Sequence, residues 1–120
     1  MNDIKSDQMP ALNPQEADGY WLQEIMVVNK NGLHARPSAY FYEKILVPYG
    51  SEIDLAFVLS DSDIREIKSV FDLMSLGLEA GTKFKVKIKY LGDASSFDDE
   101  KPEQFILSKI HDMFLNIFTD

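Results

Sequence analysis

The strongest constraint on the fold is a strict alternation of apolar residues and lysines at residues 84–90. The segment reads Phe-Lys-Val-Lys-Ile-Lys-Tyr, so every second side chain is apolar or aromatic. Successive side chains of a β-strand point to opposite faces, which gives this segment one apolar face and one charged face. A strand with one apolar face and one charged face is typical of an antiparallel sheet that other elements cover on one side only. The sequence therefore predicts a sheet with helices on one side and water on the other.

Further segments supply the remaining elements of such a sheet. Strand patterns occupy Trp21 to Val28, Ile53 to Leu59 and Ile64 to Lys68. Helical patterns occupy Ala35 to Leu46, Ser69 to Leu76 and the segment that begins at Pro102. Capping residues at the helix starts, and proline or glycine after the ends, indicate these boundaries. The predicted fold class is α+β in the order β-α-β-β-α-β-α, with a four-stranded antiparallel sheet and three helices on one face.

Residues 1–19 show no sustained period and are interpreted as an N-terminal extension of a domain that spans residues 20–120. Asn13, Pro14, Glu16 and Gly19 suit the cap, first-turn, capping-box and C-terminal positions of a single helical turn. We therefore expect one short turn of helix here, laid on the surface of the domain.

Composition excludes several classes of function. The chain has no cysteine and two histidines, so a metal site and a bound cofactor are not expected. A net charge of −8 argues against nucleic acid as a partner. No apolar run is long enough for a membrane span and no secretory signal is visible, so we expect a cytoplasmic monomer. No nucleophile–base pattern or nucleotide-binding glycine loop is present, which makes an enzyme the least expected class.

The segment Asn29 to Ala39 contains the candidate chemical group. It places His34 at a predicted junction between strand and helix, followed by Ala35, Arg36 and Pro37. If His34 is the N-cap, the backbone N–H groups of residues 35 and 36 face outward and can hold an anion, while Pro37 has no N–H. This arrangement suits a phosphoryl group carried on the imidazole, with the Arg36 side chain as counter-charge. The alternative is a structural N-cap or an exposed turn histidine.

Two stretches resemble the HPr family, the histidine-containing phosphocarriers of the bacterial phosphotransferase system. Gly-Leu-His-Ala-Arg-Pro-Ser-Ala at residues 32–39 is similar to the family's phosphorylation signature, and residues 68–77 are similar to its second signature. The likeness spans about residues 20–118 and implies the open-faced β-sandwich. It further implies that His34 is phosphorylated on Nδ1 by enzyme I and then donates to an enzyme IIA-type protein. Asn31 is a further candidate phosphate-binding residue.

Ser69 has two interpretations. Ser69-Val-Phe-Asp72 is a capping-box pattern with Asp in place of Glu or Gln, and a helix cap worth about 1 kcal/mol accounts for it. The family resemblance implies a second role, regulatory phosphorylation by an HPr kinase. A phosphate at a helix start is electrostatically favourable, but Asp72 one turn later would oppose it.

A partner-docking role is implied by the resemblance for residues on two helices, namely Tyr40, Val70, Phe71 and Met74. Phe71 and Met74 lie three apart on one helix face, as either a docking stripe or a core stripe would. Exposure of these two side chains would distinguish the two interpretations.

The sequence also departs from the family near the predicted site. Glu43 and Asp72 make that surface less basic than usual, which affects charge complementarity with a standard partner. An alternative function is therefore a regulatory binding module whose docking is switched by phosphorylation at His34 or Ser69. Roles in sugar uptake and in nitrogen or metabolic regulation both stay open. His111 is interpreted as a solvated or locally bonded histidine.

Overall fold

The computed structural model describes residues 6–97 and 100–119, in which the chain forms one five-stranded antiparallel sheet. The strands are β1 (Gln15–Ala17), β2 (Tyr20–Met26), β3 (Ile53–Ser60), β4 (Asp63–Glu66) and β5 (Lys83–Tyr90). Their order across the sheet is β1-β2-β5-β3-β4. The four predicted strands and the α+β class are confirmed, and the N-terminal segment adds a fifth strand.

Three helices complete the predicted order. Helix α1 runs through Ala35–Phe41, a π-helical turn at Tyr42–Leu46 and Val47–Tyr49. Helix α2 is Val70–Met74, and helix α3 is Pro102–Asp112 with a π-helical turn at Met113–Ile117. Short 3-10 turns lie at Ser6–Gln8, Gly50–Glu52 and Ala94–Phe97. None of the helices in the described residues is long and apolar enough to cross a membrane.

Helix α1 ends later than the sequence predicts. The expected stop at Leu46, caused by Pro48, is wrong by about one turn, because the helix continues to Tyr49. Pro48 lies at the start of that last turn, after the π-helical turn. At the start of a turn the missing N–H of proline is tolerated.

The core lies between the three helices and one face of the sheet. Ile25 of β2 pairs with Phe84 of β5, and Phe57 of β3 pairs with Val86 of the same strand, so apolar side chains share that face. Phe57 is fully buried, and its ring stacks on Phe84 with centroids 4.7 Å apart. Burial of each such side chain contributes about 1.5–3 kcal/mol. The lysines that alternate with them lie on the opposite face, as the sequence predicts.

The predicted helical turn between Asn13 and Gly19 is wrong. Gln15–Ala17 is a strand that pairs with β2, and Asp18 and Gly19 form the tight turn between the two strands with φ values of +55° and +82°. Asp-Gly is a favoured two-residue hairpin turn because both positions adopt positive φ. The open edge of β2 also offers backbone hydrogen bonds that an isolated helical turn cannot match.

Ahead of β1 the chain continues along β2 and contacts helix α3. The side chain of Gln23, which is 2% exposed, accepts a hydrogen bond from the N–H of Asn13 at 2.8 Å and donates to the carbonyl of Ala11 at 2.9 Å. His111 of α3 is buried, and its Nε2 donates to the carbonyl of Pro10 at 2.7 Å. The prediction of a solvated His111 is therefore wrong, because its partner lies 101 residues away in the sequence.

Candidate functional site

A short loop after β2 holds the backbone ahead of His34. The N–H of Leu33 donates to the carbonyl of Leu78 at 3.0 Å, and the buried Asn29 side chain donates to the carbonyl of Gly32 at 2.6 Å. Gly32 has φ +68°, and a Cβ at this position would overlap the carbonyl oxygen of Leu78. Only glycine combines this backbone conformation with so close an approach. The loop that precedes His34 is therefore fixed against the segment that follows α2.

His34 is the N-cap of helix α1. Its φ and ψ of −88° and −165° are extended, and its carbonyl accepts the N–H of Ser38 at 3.1 Å. The N–H groups of Ala35 and Arg36 lie in the first turn, ahead of this first i→i−4 bond, and both residues are exposed. Pro37 contributes no N–H and is buried. The junction predicted from the sequence is confirmed, with the helix beginning one residue after the histidine.

The two ring nitrogens of His34 have different surroundings. Among the described residues, Nε2 of His34 is the one buried side-chain nitrogen or oxygen without a hydrogen-bond partner. The side chain makes no capping hydrogen bond to any described residue of α1. The residue as a whole is only partly buried, so part of the imidazole remains open to solvent.

Helix α2 begins with a complete capping box. Ser69 Oγ accepts the N–H of Asp72 at 3.1 Å, while Asp72 Oδ2 accepts the N–H of Ser69 at 3.0 Å and that of Lys68 at 2.8 Å. The Asp72 carboxylate thus occupies the position at the helix start where an anion is most stable. Asp in place of Glu or Gln therefore still closes the capping box.

The side chains of α2 divide into an inward and an outward set. Leu73 is fully buried, whereas Phe71 is 83% exposed and Met74 is 44% exposed. Val70 is partly buried between these extremes. The outward set, Val70, Phe71 and Met74, is called the docking face below. Exposure of Phe71 and Met74 means that they do not form a core stripe.

A groove lies where the first turns of α1 meet the C-terminal end of α3. It has a volume of about 150 Å³ and is lined by Arg36, Pro37, Tyr40, Ile117 and Phe118. We call it the C-terminal groove. The Tyr40 ring meets Phe118 edge to face, with centroids 6.0 Å apart. The sequence gives no sign of this groove, because Ile117 and Phe118 fit a helical core pattern and their contact with α1 is purely tertiary.

The other candidate residues are placed less centrally. Asn31 is exposed in the turn before Gly32, three residues ahead of the histidine, and the structure shows no role for its side chain. No three His, Asp or Glu side chains in the described part of the chain lie close enough together to hold a metal ion.

Comparison with known proteins agrees with this geometry. The family model PTS-HPr, described as the PTS HPr component phosphorylation site, matches residues 22–94. The comparison with curated proteins finds no match.

Solved structures of HPr proteins are similar in fold. HPr-C-His from Thermoanaerobacter tengcongensis is 26% identical over 78% of this chain and 93% of its own, with a TM-score of 0.52. The phosphocarrier protein HPr from Bacillus anthracis str. Ames is 21% identical over 78% and 95%, with a TM-score of 0.56. A histidine-containing phosphocarrier protein of Mycoplasma is 17% identical over 77% and 91%, with a TM-score of 0.50. Because the family model covers more than half of the chain, and His34 lies within it at the start of α1, this chain belongs to the HPr family of phosphotransferase-system phosphocarriers.

Proposed function

We propose that this protein carries a phosphoryl group on Nδ1 of His34, receives it from enzyme I and passes it to an enzyme IIA-type protein. The observation that carries the proposal is the position of His34 as the N-cap of α1, with Nε2 buried and the residue only partly buried. The protein acts as a monomeric cytoplasmic carrier, and it is not itself an enzyme. No cofactor takes part on the side of the carrier.

The transfer step needs no proton to leave the ring. In the neutral tautomer with hydrogen on Nε2, the lone pair of Nδ1 attacks phosphorus. The bond between phosphorus and the donor's atom breaks at the same time, and its electron pair stays on the donor. The hydrogen stays on Nε2 in the product.

The start of α1 supplies the stabilisation. The N–H groups of Ala35 and Arg36 face the phosphoryl oxygens, and charge-assisted hydrogen bonds of this kind are stronger than neutral ones. The helix dipole adds about 0.3–1 kcal/mol for an exposed anion. The Arg36 guanidinium is the counter-charge for the developing phosphoryl charge during transfer. Each contribution is modest, which is what a carrier needs if it is to release the group again.

The docking face is the proposed contact with both exchange partners. Phe71 has the largest exposed fraction among the exposed large apolar side chains, and Met74 and Val70 extend the same surface. Such a patch beside a transfer site marks an interaction surface. Tyr40 on α1, which is partly buried against Phe118, is the proposed contact from that helix. The same exposed face would serve the alternative of a regulatory binding module, which no separate observation favours.

For Ser69 the hydrogen bonds support the structural role. Its Oγ and N–H are both used in the capping box with Asp72, so phosphorylation by an HPr kinase would break the box and place a dianion beside a carboxylate. We therefore propose that Ser69 acts as a cap in this protein.

Phosphorylation by enzyme I tests the proposal directly. Incubation with labelled phosphoenolpyruvate and enzyme I of the same organism should give an acid-labile, base-stable phosphate on the wild-type protein. His34→Ala should abolish the label, whereas His111→Gln, which alters the only other histidine, should retain it. An unlabelled wild type beside a demonstrably active enzyme I, or a labelled His34→Ala variant, would refute the assignment.

A further inference from the structure

The C-terminal groove adjoins the proposed transfer site through the backbone of α1. Two of its lining residues, Arg36 and Pro37, belong to the helical turn that His34 caps. The groove therefore begins two residues from the ring that receives the phosphoryl group. Its other wall is the C-terminal end of α3, where Ile117 is 43% exposed and Phe118 is buried.

Direct transfer requires that a partner cover this region. A phosphoryl group can pass between two side chains only when the attacking and leaving atoms lie in line on either side of phosphorus. The partner's surface must then lie against the first turn of α1, close to His34. The docking face belongs to α2, which packs against α1, and the C-terminal groove is the apolar surface between α1 and the end of α3.

The lining of the groove identifies what enters it. Pro37, Tyr40, Ile117 and Phe118 present mainly apolar atoms, and about 150 Å³ suits a single aliphatic or methionine side chain. On the rim, Lys44 Nζ lies 5.7 Å from the centroid of the Tyr40 ring, and Lys44 is exposed. A carboxylate on the partner would complement this ammonium group.

We propose that the C-terminal groove is a second docking point for the phosphoryl-exchanging partner, which inserts one apolar side chain between Tyr40 and Ile117 and places a carboxylate near Lys44. The inference rests on the proposed function and extends it by naming a surface of α3 that takes part. The partner binds the carrier at two points, the docking face and the C-terminal groove, each beside the helix that His34 caps. This arrangement fixes the direction in which the imidazole meets the donor or acceptor atom.

Steady-state transfer from enzyme I tests the groove. Ile117→Ser removes the apolar wall at a partly exposed position, Ile117→Leu preserves it, and Ile64→Ser is the matched control on β4, away from the helices. We expect Ile117→Ser to raise the KM for the carrier about tenfold with kcat within about twofold, as for a contact that contributes to docking only. Ile117→Leu and Ile64→Ser should keep the wild-type KM. Lys44→Gln, on an exposed side chain, should raise KM about threefold, more so at low ionic strength.

The possible outcomes distinguish a failure of the groove proposal from a failure of the proposed carrier function. If Ile117→Ser and Lys44→Gln both keep the KM of the wild type while the wild type is phosphorylated, the groove is not a docking point and the carrier function stands. If the wild type is not phosphorylated by an active enzyme I, the carrier function and the groove proposal both fall. Thermal unfolding of each variant shows whether the fold is intact, and Lys44→Gln decides the case should Ile117→Ser prove unfolded.

Discussion

The N–H of Leu33 donates to the carbonyl oxygen of Leu78 at 3.0 Å, which ties the loop before His34 to the segment after α2. These residues are 45 positions apart, and the bond holds the first family signature against the residue that directly follows the second. The position of the imidazole therefore depends on a contact between loops as well as on the start of α1.

Replacement of Gly32 should damage this junction more than replacement of another glycine with positive φ. Gly32→Ala adds a Cβ that overlaps the Leu78 carbonyl, whereas a Cβ at Gly19, which has φ +82°, meets nothing within 4 Å. We expect Gly19→Ala to cost about 1 kcal/mol through backbone strain and Gly32→Ala about 2–4 kcal/mol through strain and overlap. Urea unfolding measures both, and equal losses would contradict the close approach at Gly32.

The capping box predicts strong coupling between Ser69 and Asp72. A negative charge introduced by Ser69→Glu should destabilise the wild type, because it meets the Asp72 carboxylate and removes the cap. In an Asp72→Ala background, where the carboxylate is absent, the same change should cost about 1 kcal/mol less. A double-mutant cycle from urea unfolding gives the coupling energy. A coupling energy of zero would mean that the Asp72 carboxylate does not oppose a charge at Ser69.

Substitution of Phe71 should weaken docking with little effect on stability, whereas substitution of Leu73 should lower stability. Phe71→Ala alters an 83% exposed side chain, so the free energy of unfolding should change by no more than about 0.5 kcal/mol. The KM of enzyme I for the carrier should rise. Leu73→Ala removes a fully buried side chain and should cost about 2–5 kcal/mol. Unfolding and transfer assays on both variants separate docking from packing. A Phe71 variant with wild-type transfer kinetics would remove Phe71 from the proposed docking face.

The Tyr90 hydroxyl should lose its proton at a higher pH than an ordinary tyrosine. This hydroxyl donates to Glu52 Oε2 at 2.6 Å, and this hydrogen bond is the main cause that raises the pKa of Tyr90 to about 12. Because the folded-state pKa lies above the usual value of 10.0, the stability from this bond is complete below about pH 10 and is lost as the pH rises through about 12. Ultraviolet absorbance of tyrosinate follows the titration. Glu52→Gln should bring the pKa of Tyr90 down, and an unchanged titration would assign the shift to another cause.

Gln23 should be more important for stability than a typical polar residue on a strand. It is buried and bonds to the backbone at Ala11 and Asn13, so Gln23→Ala would leave those groups without their partner. We expect a loss of about 1–3 kcal/mol, together with faster amide hydrogen exchange along β1. Gln15→Ala, on an exposed side chain of β1, is the control and should cost little. If amide hydrogen exchange along β1 in Gln23→Ala matched the wild type, the backbone hydrogen bonds between β1 and β2 would be sufficient to hold β1.

Local pattern was sufficient to predict most of the fold. The alternation at residues 84–90 placed β5 in the sheet correctly because its period depends only on which side chains are buried. The helix start at His34 and the capping box at Ser69 were also predictable, since each depends on residues a few positions apart in the sequence.

What the sequence could not predict depends on distant partners. The strand Gln15–Ala17 replaced an expected helical turn because the open edge of β2 competes for its backbone. His111 proved buried because Pro10, far away in the chain, accepts its hydrogen bond. The C-terminal groove was missed for the same reason, since Tyr40 meets Phe118 only where the end of α3 packs beside α1.

The path of the segment ahead of β1 provides a position for a fluorescent label near the His34 loop. From Gln15 the chain runs back beside β2 until the sulfur of Met9 accepts the N–H of Met26 at 3.3 Å, where β2 leads into the His34 loop. Gln8, the exposed residue just ahead of it, therefore lies at the end of the sheet that leads into the His34 loop. Since the chain has no cysteine, one introduced at position 8 carries a single fluorophore at that end of the sheet, outside the docking face and the groove.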